Sequence, residues 1–187
     1  MRFRFNQRKA AQAAAYLLGR HEGRLNYMKL IKLMYLADRR VLIERGRMIT
    51  GDHMVSMPHG PVLSTILNLI TEDDEEVGIW SEYVGPPSGY EVCLKKSNAE
   101  TDELSRYELR VLDEIDAEFG PLGKWVLRDV THELPEWVDP NGSSLPIEPQ
   151  TILRQAGRSS EEIHQLTSDA EDVFFMDLRA GAGVSKP

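Results

Sequence analysis

One cysteine, Cys93, is all the chain holds. No internal disulfide framework can form, which fits a reducing compartment and an expected cytoplasmic location. Long apolar runs are missing too. The N-terminal stretch MRFRFNQRKAAQAAAYLLGRHEG carries basic residues but no continuous apolar segment, so neither a signal peptide nor a membrane span is read there. Several chemistries lack their motifs. There is no HExxH, no EF-hand pattern and no Cys/His cluster. His53 and His59 would lie about 20 Å apart on an extended chain, so no metal site is expected. There is no G-x-S-x-G, and the serines of NGSSLP have no histidine placed to activate them. TGDH and GPPSG lack the lysine and the strand–loop–helix context of a phosphate loop. The acidic runs EDDEE and DEIDAE read as solvated, not as tuned acid–base pairs. Neither an enzyme nor a cofactor is expected.

What is present suits a globular protein. The chain has 187 residues, 41% hydrophobic and 28% charged, enough to bury a core and to argue against wholesale disorder. Its net charge of −8 is unevenly spread. Residues 1–60 hold twelve Lys/Arg against four Asp/Glu, whereas residues 61–187 hold ten against twenty-six. That split suggests a charge-polarised surface, or simply solvated helix faces.

Helical punctuation is frequent. Asn6 is placed to cap a helix running to about Arg20. Asn26 opens a second, with Leu25 and Leu30 as a hydrophobic staple, apolar residues at helical spacing, and Gly46 as its left-handed stop. Pro61 suits the first position of a third helix, which the acids of Glu72–Glu76 end. Ser105 with Glu108, and Ser159 with Glu162, read as capping boxes. Shorter helices follow at KWVLRDVTHELP and PQTILRQAG. Ile163, Leu166, Ala170 and Val173 line the inner face of the last helix. Between them, GIWSEYVGPPSGYEVCLKK reads as a β-hairpin, with Asp52–Met57 as a candidate third strand. The expected fold is α+β and mainly α: a single domain over residues 1–180, about seven helices, a small antiparallel sheet, and a frayed tail at 181–187.

The stretch Gly51–Val62, GDHMVSMPHGPV, gathers the most chemical-looking residues, yet it reads as a turn, a short strand and a tight corner. The carboxylate of Asp38, on the buried second helix, needs a partner. Backbone N–H groups of the Thr50–Asp52 turn, Arg39 or Arg47 are the candidates.

The order LNYMKLIKLMYLADRRVLIERGRMITGDHMVSMPHGPV resembles the Panacea domain of SocA-like antitoxins. The resemblance rests on Lys29, Leu30, Lys32, Leu33, Tyr35, Ala37 and Asp38, then Ile49, Thr50, Gly51 and Asp52, then Pro58, Gly60, Pro61 and Val62. It covers roughly residues 8–70, and THELPEWVDPNGSSLPI is similar to the family's C-terminal region. Position 59 is often aromatic in the family, and His59 departs from that. The resemblance implies a mainly helical, non-catalytic antitoxin that binds a cognate protein toxin encoded beside it. Direct inhibition and delivery to a protease are both routes the family uses, and phage-associated members are common. A DNA-binding regulator and a phage-associated interaction protein are the alternatives, the former resting only on the basic N-terminal third. Met54, Met57, His59 and Trp80, on or beside the expected sheet, are the candidate partner-binding residues, since methionine adapts to partner surfaces.

Overall fold

The computed structural model describes residues 1–71, 78–96 and 100–182. The acidic run at 72–76 and the last five residues, 183–187, lie outside the described residues. Asn6 accepts a hydrogen bond from Lys9 N (3.0 Å) and opens helix α1, Gln7–Arg20. Strand β1, Arg24–Asn26, leads into α2, Tyr27–Arg45. Asn26 caps α2 through Met28 N (3.2 Å), and Gly46 ends it at φ +65° with its N–H on the Leu42 carbonyl. Strands β2, Met54–Met57, and β3, Gly60–Leu63, follow, then α3, Ser64–Thr71. The chain continues through α4, Trp80–Tyr83; β4, Glu91–Cys93; α5, Arg106–Phe119; α6, Lys124–His132; β5, Leu145–Pro146; α7, Pro149–Gln155; and α8, Ser160–Ala182. The Ser105–Glu108 capping box is formed in both directions. The fold is mainly α with some β, and α2 is its axis, touching α1, α5, α6, α7 and β3. Leu30, Leu33, Tyr35 and Leu42 on α2 are wholly buried.

The β structure differs from the expectation. The expected hairpin over residues 79–95 is reduced to two antiparallel bridges, Val84 with Leu94 and Ser88 with Glu91, on either side of the expected turn. The start of its first arm is instead the short helix α4, whose Trp80 and Tyr83 sit three apart on one face and are both buried, with α4 packed on α1. Its second arm, β4, pairs antiparallel with β1, so that Leu25 faces Val92 and both are buried. Strand β2 does form, but within a separate antiparallel sheet of order β3-β2-β5. Pro61 is not at a helix start: it lies in β3 opposite Ser56, and α3 begins at Ser64. A strand fits there because the Pro58–His59 turn returns the chain at once onto β2. The far half of α8 also departs, since Val173 is exposed together with Phe175, Met176 and Leu178.

Part of the charge split is resolved by pairing within the molecule. The basic α1 and α2 pack against the acidic α5. Lys9 meets Glu108 (2.6 Å), Arg20 meets Asp113 and Asp116 (2.7 and 2.9 Å), and Arg40 meets Glu114 and Glu118 (3.5 and 3.3 Å). The surface is therefore less polarised than the linear charge count suggests.

Candidate functional site

Four polar side chains on α2 each reach across to a different segment. Lys29 donates to the Gly120 carbonyl at the end of α5, where a cation also suits the helix dipole. Lys32, 1% exposed, donates to the Pro61 carbonyl (3.0 Å). Asp38, fully buried, accepts from Ile49 N (2.6 Å), Thr50 N (3.1 Å) and the Thr50 hydroxyl. Arg39 clasps Glu136 through two bonds (2.5 and 3.2 Å), and Glu136 also accepts from the Tyr35 hydroxyl (2.9 Å). The Thr50 turn, and not Arg39 or Arg47, is thus the partner of Asp38.

Asp52 completes the frame. Its carboxylate accepts from Thr65 N (3.0 Å) and Ile66 N (2.9 Å), satisfying donors that the first turn of α3 leaves unpaired. Gly51, at φ +70°, lets the N-terminal segment pass, because a Cβ there would run into the Arg4 carbonyl. Gly60, at φ +92°, does the same for the corner: a Cβ would come within 2.7 Å of Lys32 Nζ and 2.8 Å of Thr131 Oγ1. The segment after α6 seals this corner from outside. Trp137 Nε1 donates to the Met57 carbonyl (3.1 Å), and Val138 N donates to Ser56 Oγ (3.2 Å). His132 stacks on Trp137 with ring centroids 4.0 Å apart, while its buried Nε2 has no hydrogen-bond partner among the described residues. Burial, Lys32 and Arg128 hold His132 below the usual histidine range.

Residues 30–138, more than half of the chain and the span that holds most of this frame, match the family model for the SocA-like antitoxin, Panacea domain. The chain belongs to that family. No curated protein and no solved structure matches it. In this Panacea domain, Lys29, Lys32, Tyr35 and Asp38 tie α2 to its surroundings, Lys32 through Pro61 beside Gly60, while Asp52 caps α3 and Gly51 admits the N-terminal segment, with Leu30 and Leu33 in the core behind them.

The open surface lies on the far side of the same corner. A groove of about 600 Å³ runs between the first turn of α2, the Pro58–His59 corner and the start of α6. Met57, Pro58 and His59 line it, as do Tyr90, Trp125 and Lys124. Tyr90 and Trp125 are 69% and 50% exposed, and His59 meets the Trp125 ring edge-on at 6.1 Å. Met54 and Trp80 take no part, at 4% and 2% exposed. Alternation along β2 turns Met54 and Ser56 inward, and α4 presses Trp80 against α1. Sequence reasoning missed Tyr90, Lys124 and Trp125. The available signal was the adjacent Trp125-Val126 pair behind a lysine at the opening of a short helix.

Burial, reinforced by Arg128, lowers the pKa of Lys32 to about 7. An amine depressed from its ordinary value of 10.5 destabilises the fold fully below pH 7, and the penalty fades as pH rises from 7 to 10.5. Lys32→Met removes that penalty, roughly 5 kcal/mol at acid pH by linkage. It also orphans the Pro61 carbonyl, at about 1–3 kcal/mol. Urea unfolding should therefore find Lys32→Met on the order of 2 kcal/mol more stable at pH 6 and no more stable than the natural protein by pH 10. A pH-independent difference would contradict this.

Proposed function

We propose that this Panacea domain is a non-catalytic antitoxin that neutralises a cognate protein toxin by direct contact, and that the groove beside the Pro58–Pro61 corner is its docking surface. The observation that carries the reading is the groove's make-up. Large aromatic side chains stand exposed on its rim over a rigid frame, as recognition surfaces require. The internal pairing of the basic N-terminal third weighs against a DNA-binding regulator, since Lys9, Arg20, Lys29, Arg39 and Arg40 are already engaged. A second exposed apolar surface, at Phe175, Met176 and Leu178 on α8, supports the adaptor route, because an adaptor needs one face for the toxin and another for the protease.

The test is co-expression with the neighbouring toxin-like reading frame, in a normal host and in one lacking its cytoplasmic proteases. Growth rescue in both is expected for direct neutralisation, and rescue only in the normal host would favour delivery. Absence of rescue in either, with no complex on pull-down, would remove the antitoxin reading.

A further inference from the structure

The groove's cations are poorly provided with anions. Lys32 closes its floor, and when protonated it has three protons but one acceptor among the described residues, the Pro61 carbonyl. Lys124 forms no ion pair among the described residues. It lies 5.4 Å from the Tyr90 ring and 5.2 Å from that of Trp125, held by the ring faces. Arg128 is 5.1 Å from the Trp125 ring, and its own carboxylate partner, Asp129, sits beside it at 2.5 Å. Two apolar aromatic walls thus flank a site with surplus positive charge and unused donors. By contrast, Lys9, Arg20 and Arg40 of α1 and α2 each meet an acid of α5.

We propose that the groove binds a peptide segment of the partner in which an aspartate or glutamate follows bulky apolar residues, with the carboxylate drawn to Lys32 and Lys124 and the apolar side chains laid against Trp125 and Tyr90. This deepens the antitoxin reading and rests on it for the identity of the partner. A carboxylate supplies what the floor lacks, and a charge-assisted bond at the buried end of the groove discriminates against a neutral isostere.

The test is run at pH 6, where Lys32 is protonated, with the full chain and a capped tripeptide of leucine, phenylalanine and aspartate, against the same peptide with asparagine. Binding is followed by the NMR shift of the Trp125 indole N–H. The aspartate peptide is expected to bind at least about tenfold more tightly than its isostere. Lys32→Met and Lys124→Glu should each shrink that preference to about twofold or less while the proteins stay folded. Lys32→Met is informative because a purely structural lysine would leave the preference unchanged. Equal affinity of the two peptides for the natural protein, or saturable shifts only outside the groove, or no saturable binding of either peptide, would overturn the proposal. The titration contains no toxin, so its outcome is separate from that of the rescue experiment. Rescue by the natural chain with no peptide preference removes this site and leaves the antitoxin reading. Peptide preference without rescue does the reverse.

Discussion

Asp38→Ala is expected to cost about 4–5 kcal/mol, enough to unfold a large share of the protein near body temperature. The substitution strands the Ile49 and Thr50 N–H groups and the Thr50 hydroxyl in a site closed to water. Each such buried group costs roughly 1–3 kcal/mol, and the lost side-chain volume adds to this. Asp38→Asn keeps an amide oxygen for the two backbone donors and should cost far less. The pair also has a pH signature. Burial raises Asp38 to about 7, against the pull of its hydrogen bonds. The folded state therefore holds this proton more tightly than the unfolded chain, whose carboxyl titrates near 3.8. The contribution of Asp38 to stability is fully present below that value and declines as pH rises to about 7. Chemical denaturation should show the advantage of the natural protein over Asp38→Asn shrinking between pH 4 and 7. A flat difference would mean that Asp38 is charged throughout.

Glu136→Ala should be nearly as damaging, at about 3–5 kcal/mol. The Glu136 carboxylate is completely shielded, and it neutralises Arg39, whose side chain is 20% exposed, while accepting from Tyr35. Removing it leaves a mostly buried guanidinium without its counter-charge and a buried phenol without an acceptor. The same environment holds Tyr35 well above the usual phenol range, so the phenol stays a donor. Replacing both partners, Arg39→Met with Glu136→Leu, should recover much of the loss, since two apolar groups leave no orphaned charge. Denaturation midpoints of the two single variants and the double variant give the coupling. Strict additivity would contradict the ion-pair account.

These two anchors show what could be read from the sequence. The helix signals are local, and Asn6, Asn26, Gly46 and the Ser105–Glu108 box act where they stand. Asp38 was readable for a related reason: a carboxylate on an apolar helical stripe must find donors, and the following turn is the nearest supply. The strand pairing was not legible. Strands β1 and β4 have three residues each, too few to display alternation, and they meet across more than sixty positions of chain. Lys32 and Glu136 were illegible as anchors because lysine and glutamate ordinarily sit in water, and only the packed fold shows which are enclosed. Trp80 and Met54 misled for the opposite reason. The expected hairpin offered them a free face, whereas α4 and the inward side of β2 remove it. The groove takes its walls from α2, the β2–β3 corner, the segment before β4 and α6, so no local pattern marks it.

Direct docking on a preformed groove is most simply checked by isothermal titration of the purified chain with the product of the neighbouring toxin-like reading frame, at about 0.15 M salt, where surface charges act over only about 8 Å. The account predicts one saturable complex with Kd below about 1 µM, weakened at least about a hundredfold by a folded Trp125→Asp variant. No saturable heat with a partner whose toxicity the chain relieves in cells, or unchanged affinity in the folded variant, would contradict it.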